Sequence, residues 1–293
     1  MEQYRDVYQA TQDFSIAKAA TIVNPKIKKK EAKSLLKKIR KELAHLQDIM
    51  YAHDRYSVLI CIQGMDTSGK DSLIRRVFEK FNARGVTVHS FKVPTAKEYQ
   101  HDYLWRHYIA LPERGKFGVF NRTHYENVLV SRVHPHNLAE EHLPDVVDTD
   151  NLPSDFWIKR YEQINNFEQH LAQNGTIILK YFLHISKDEQ KNRILRRLNN
   201  EDKNWKFSPS DLSERKKWDE YMRYYEEAIQ NTSTKSAPWY IIPADNKWVA
   251  RYIVAKILLE TLTVLKDMKY PELPEEIMNN LKSYKNQLEN EEG

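Results

Sequence analysis

Gly64-Met65-Asp66-Thr67-Ser68-Gly69-Lys70-Asp71 decides the fold. It has the spacing G-x-x-x-x-G-K, in which two glycines let the backbone wrap around phosphate oxygens, consecutive N–H groups face the anion and the lysine adds a point charge. Gly64, Thr67, Ser68, Gly69 and Lys70 are therefore candidate phosphate ligands. The motif has meaning only between a strand and a helix, and both are predicted independently. Tyr56 to Gln63 is an apolar, β-branched run too short for a buried helix, as in a central parallel strand. Beyond Lys70, the residues Leu73, Ile74, Val77, Phe78 and Phe81 recur on one side of a helix.

Working outward, Gly85 precedes a second strand, Val86 to Lys92, which completes a βαβ unit. Strand-like runs follow at Lys116 to Phe120, Thr176 to Ile185 and Trp239 to Ile242, separated by helical patterns at 97–110, 154–173, 187–199, 211–231 and 246–267. Alternation of this kind predicts an α/β fold with a parallel sheet covered on both faces. Before the first strand, Ala32, Leu35, Leu36, Ile39, Leu43, Leu46 and Met50 give residues 31–52 one apolar face, with lysines opposite. The stretch after Pro271 reads as a peripheral helix fraying near Glu291. With seven glycines and no low-complexity tract, the expected organisation is one domain over 1–293, with a helical extension over about 1–52.

Chemistry concentrates in three places. In the loop, the position after the lysine, usually a Ser or Thr that binds Mg²⁺, is Asp71, so Asp66 is the expected metal ligand and Asp71 is left between metal binding and helix capping. Ligands of parallel sheets sit at the carboxyl ends of strands, which brings Asn121-Arg122-Thr123-His124-Tyr125-Glu126 opposite that loop. Arg122 is a candidate phosphate clamp and His124 a packing or hydrogen-bonding residue. Asn121 has no charge to give a metal and can offer it only one weak oxygen ligand, so Glu126, five residues on, is expected to reach back to the metal or to orient the acceptor phosphate. The third place is 187–217, where Arg193, Arg196 and Arg197 fall three and four apart and suggest a basic helical lid that closes over the phosphates. Trp205 and Phe207 are either a nucleobase platform or local core.

The net charge of +5 is unevenly placed: residues 26–41 carry nine basic residues against Glu31 alone, and 187–217 carry ten against six acids. Such blocks suit an anionic partner. Nucleic acid is disfavoured, because the first block lacks interleaved aromatics and any groove-reading motif. No apolar run approaches the roughly 18–20 residues of a membrane span, the start shows no secretory pattern, and Cys61 has no second cysteine to pair with. A cytoplasmic protein is the expectation.

Taken together, GMDTSGKD, FNRTHYENVLVSRVH, NRILRRLNN…NWKFSPSDL and TSTKSAPWYIIPADNKWVAR resemble the motif set of the family-2 polyphosphate kinases over about residues 30–265. That resemblance implies a thymidylate-kinase-like three-layer P-loop fold, Mg²⁺ dependence with Mn²⁺ as a substitute, a polyphosphate channel lined by Lys and Arg, a lid, and a homo-oligomer, dimer or tetramer. It implies Asp66 as metal ligand, Lys70 and Arg122 as phosphate ligands, and an Arg193/Arg197 lid face. Many members show Asp-Arg-Ser-Trp-Tyr-Asn where this chain has Asn121 to Glu126, moving the carboxylate from the first place to the sixth. The variant is similar to the subgroup that accepts both AMP and ADP, with ATP as product. An ATP-dependent nucleoside or nucleoside-monophosphate kinase is the competing reading, since fold does not fix function.

Overall fold

The computed structural model describes residues 3–23, 27–144 and 146–291; Lys26 of the basic block lies outside them. Two helices precede the sheet, α1 (Tyr4–Tyr8) and α2 (Lys29–His53). Strand β1 (Ser57–Gln63) then runs into the phosphate-binding loop and α3 (Lys70–Val77), followed by β2 (Val86–Ser90), α4 (Ala96–Tyr99), α5 (Trp105–Tyr108) and β3 (Phe117–Asn121). Next come α6 (Glu126–Val133), α7 (Phe156–Gln173), β4 (Thr176–His184), α8 (Lys187–Leu198), α9 (Glu201–Asn204), α10 (Ser210–Lys216) and α11 (Trp218–Thr232). The last elements are β5 (Trp239–Pro243), α12 (Lys247–Thr263) and α13 (Glu275–Glu289).

The five strands lie in the order β2-β3-β1-β4-β5 and every pairing is parallel. Central β1 is buried at all seven positions because both of its faces are covered. Val58, Ile60 and Ile62 join the larger core, while Leu59 and Cys61 point the other way with Phe120, Leu171 and Ile178. One helical layer contains α2, α3 and α12, and the other contains α6, α7 and α11. The expected leucine stripe of α2 docks on α12, with Leu36 and Leu43 fully buried. Since β1 has β3 on one side and β4 on the other, its carboxyl end opens the crevice that parallel sheets use for ligands.

Several elements depart from expectation. The pattern at 97–110 is two single turns, not one helix, because Asp102 Oδ1 accepts from the Leu104 backbone N–H (2.8 Å) and diverts the chain between them. The pattern at 211–231 breaks at Lys217 into α10 and α11. Helix α6 was no part of the predicted element list. Its Glu-Asn-Val-Leu-Val-Ser-Arg-Val sequence has weak helix propensity, but burial of Val128, Leu129 and Val133 overrides it. Helix α13 buries none of its side chains.

The sheet also conceals a charge. Lys180, in the middle of β4, and Glu168 of α7 are fully buried and 2.6 Å apart. Glu168 also accepts from Tyr125 (2.9 Å) and pairs with His124 (3.1 Å), and Lys180 donates to Tyr125 Oη (2.7 Å) and the Thr232 carbonyl (2.7 Å). Burial depresses the Lys180 pKa, and Glu168 works against that shift. A pair this dry adds little net stability, yet removing one partner costs about 3–5 kcal/mol because the other charge is stranded. Its structural effect is to moor His124 and Tyr125, and so the turn between Arg122 and Glu126, to the sheet.

Candidate active site

Backbone conformation sets the site first. Gly64 (φ 150°) and Gly69 (φ 109°) bracket the loop, and a Cβ on Gly64 would lie 2.9 Å from both the Leu183 carbonyl and Ser68 Oγ. At the site two non-glycine residues, Thr67 (φ 63°) and Arg122 (φ 60°), also take the left-handed region. Such positions cost on the order of 1–3 kcal/mol each and persist where surrounding contacts over-determine them.

Lys70 folds back over the loop, its Nζ 2.6 Å from the Gly64 carbonyl and 3.4 Å from that of Met65. Burial lowers its pKa, with the Asp66 charge opposing. Arg122 stands between two carboxylates, 3.4 Å from Asp66 Oδ1 and 3.7 Å from Glu126 Oε2. Desolvation works against its charge, and Glu126 and Asp66 outweigh that effect and raise its pKa. Thus Asp66, Lys70, Arg122 and Glu126 converge as the sequence suggested. Asn121 donates to Asp71 Oδ1 (2.7 Å) and Ser90 Oγ (3.1 Å), which holds Asp71 as an acceptor; the buried Asn121 Oδ1 has no partner among the described residues.

Arg193, Arg196 and Arg197 of α8 all border the space over the loop, but in different settings. Arg193 is buried beneath the loop, where it donates to the carbonyls of Thr67 (3.0 Å), Ser68 (2.6 Å), Ala244 (2.5 Å) and Asp245 (3.0 Å) and to Glu189 (2.8 Å). Gln190, one turn before Ile194, braces the Asp66 carbonyl (3.1 Å). Arg196 is exposed and paired with Glu189, whereas Arg197 bonds Asp211 (2.9 Å) and the Lys206 carbonyl (2.9 Å). The cause is the helix's apolar register: Ile194 faces inward and carries Arg193 with it. Trp205 is 77% exposed, so the local-core alternative does not hold for it. His124 is buried on Glu168, as its packing and hydrogen-bonding role requires.

A cleft of about 890 Å³ opens over the loop. Its walls include Asp66, Lys70 and Arg122, and also Lys247 and Arg251 of α12, which the sequence reading missed. Both stand one helical turn apart on one face of α12. Burial and the neighbouring Arg193, Arg196 and Arg251 lower Lys247 to about 8; burial and Arg76, Arg75 and Arg40 lower Arg251 to about 10. From Arg251 the cationic surface continues around Trp248, whose ring centroid lies 4.5 Å from Arg251, 5.9 Å from Arg76 and 4.6 Å from Lys33 of α2. Tyr225 of α11 was missed as well. It is buried against the Gly64 backbone, and burial with the nearby Glu126 and Asp66 charges pushes its phenol well above the usual range.

This site has known relatives. A family profile described as Polyphosphate kinase 2 (PPK2) matches residues 26–270. The chain is 49% identical over 258 residues to an ADP-polyphosphate phosphotransferase of Rhodopseudomonas palustris, covering 88% of each. It is 46% identical over 244 residues to an AMP/ADP-polyphosphate phosphotransferase of Meiothermus ruber, covering 83% of this chain and 85% of the relative. A crystal structure of polyphosphate kinase 2 from Arthrobacter aurescens TC1 superposes with a TM-score of 0.86 at 35% identity over 97% of both chains. With a strand-flanked phosphate loop, an all-parallel sheet and these relatives in agreement, the chain belongs to the polyphosphate kinase 2 family.

Proposed function

We propose that this protein transfers phosphoryl groups reversibly between inorganic polyphosphate and AMP or ADP. The observation that carries the reading is the cationic wall: Lys247 and Arg251 line the cleft over the loop, and the cations around Trp248 continue that positive surface from Arg251. A long polyanion needs such a surface, and an ATP-dependent nucleotide kinase does not. The names of the relatives support the same donor, and that of the Meiothermus ruber protein supports dual acceptor use.

Among the described residues no three His, Cys, Asp or Glu side chains gather as a self-sufficient metal cage. That suits Mg²⁺, which in phosphotransferases takes one or two carboxylates and completes its shell with phosphate and water. Asp66 and Glu126 supply the carboxylates and the unpartnered Asn121 Oδ1 a neutral oxygen, so the donor set fits Mg²⁺, with Mn²⁺ as a substitute. When bound, the ion would neutralise charge on the phosphate oxygens. The chain's own groups do the rest. Lys70 and the loop amides hold the phosphates, and Arg122 stabilises the charge spread over the transferred phosphoryl group. A phosphate oxygen of the acceptor is already ionised at neutral pH, so no general base is required. One P–O bond of the polyphosphate breaks, one forms to the nucleotide, and the chain shortens by one phosphate.

The direct test is formation of ADP, then ATP, from AMP and long-chain polyphosphate with no added ATP. Strict dependence on ATP would instead establish the nucleotide-kinase reading. A second expectation concerns pH. With its pKa at about 8, Lys247 is charged below that value and loses its charge above it. The KM for polyphosphate should therefore rise severalfold between about pH 7 and 9, and Lys247→Met should flatten that rise. An unchanged pH profile in the mutant would assign the dependence elsewhere.

A further inference from the structure

Gln63 ends β1 next to the phosphate loop and is 1% exposed. Its Nε2 lies 3.0 Å from Glu126 Oε1 and 3.2 Å from Thr123 Oγ1. Its neighbour Ile62 pairs with Asn121, so Gln63 stands level with the start of the Arg122–Glu126 turn, although about sixty residues separate them in the chain. The other Glu126 oxygen, Oε2, is 3.7 Å from Arg122. One oxygen is thus taken by a neutral donor fixed in the central strand, the other by a cation on a turn in the left-handed region. Both partners are donors, so each Glu126 oxygen has a group to accept from.

We infer that Gln63 is a positioning residue which holds the Glu126 carboxylate in its working orientation; the inference rests on the polyphosphate-transfer reading. The amide supplies two N–H donors, and this site uses both, on Glu126 and Thr123. An apolar side chain in its place would leave Glu126 restrained only by Arg122, whose guanidinium must also be free to meet phosphate. A carboxylate would repel Glu126. Rigid support matters because small displacements of a group acting on the transferring phosphoryl are expensive in rate, and a central strand is the least mobile place from which to supply it.

A simple space-filling role for Gln63 predicts something different, and a double-mutant cycle separates the two. Wild type is first shown to make ADP from AMP and polyphosphate without ATP, so that failure of the underlying reading is visible by itself. Gln63→Met, Glu126→Gln and the double variant are then compared over titrations of polyphosphate and of Mg²⁺, each with the other saturating. We expect Gln63→Met to lower kcat about tenfold with the KM for polyphosphate unchanged, and to raise the half-saturating Mg²⁺ severalfold. In the Glu126→Gln background the same change should have almost no further effect, because its target is gone. Electron paramagnetic resonance of Mn²⁺ with enzyme and AMP, without polyphosphate, should show the weaker metal binding independently of turnover. If Gln63→Met fails to fold, Gln63→Ser, whose side chain is too short to reach Glu126 and adds no charge beside it, takes its place in the cycle. Wild-type kcat in the single variant, or losses that multiply in the double variant, would overturn the inference.

Discussion

Lys70→Ala should lower turnover by about a thousandfold or more while the protein keeps its fold, because the lysine delivers charge to phosphate and contributes little packing. Its ammonium rests on the Gly64 and Met65 carbonyls, so the chain has already placed the charge before substrate arrives. Burial depresses the Lys70 pKa, which means that the native structure bears a cost to keep that ammonium in place. Alanine removes this cost and also strands the Gly64 carbonyl, and the two effects oppose each other in stability. Circular dichroism and a melting curve should therefore resemble wild type, while steady-state assays with AMP and with ADP both collapse. Near-normal activity would end the phosphate-loop assignment.

The second large effect is expected at Arg193, and for a different reason. Its guanidinium satisfies four backbone carbonyls from two loops, Thr67 and Ser68 on one and Ala244 and Asp245 on the other. Hydrogen bonds to a charged group contribute roughly 1.5–3 kcal/mol each, and stranded buried acceptors are costly. Arg193→Gln should thus destabilise the protein by about 3–5 kcal/mol and lower turnover about a hundredfold or more, since the strained Thr67 backbone loses its brace. Even Arg193→Lys should recover little, because a point charge cannot reproduce the planar fork. Arg197, partly exposed on Asp211, provides the contrast: Arg197→Gln should reduce turnover while lowering the melting temperature much less than Arg193→Gln does. Equal melting temperatures for Arg193→Gln and wild type would refute the bracing role.

These residues also show where the sequence was legible. The loop, strands and apolar stripes could be read because each is a local pattern: a glycine spacing, a run of β-branched residues, a period of three and four. The burial of Arg193 beneath the loop was not legible, because spacing puts residues 193, 196 and 197 close together but does not say which points inward. The clue was Ile194, flanked by the exposed Leu195 and Leu198, which blurred the apolar register. Lys247 and Arg251 carry no individual role in the sequence reading, and Gln63 reads as one more strand residue. Their partners lie far along the chain, where no local pattern reaches.

The crowding of cations along α12 has a last consequence, for the stability of the protein rather than its chemistry. Lys247 and Arg251 titrate below their ordinary values in part because like charges surround them, so the ligand-free fold carries a self-repulsion that a bound polyanion relieves. By mass action, a ligand at a hundred times its Kd stabilises the native state by about 2.7 kcal/mol. On the proposed function, long-chain polyphosphate added to the purified protein should therefore raise its melting temperature, and free phosphate of equal total charge should not.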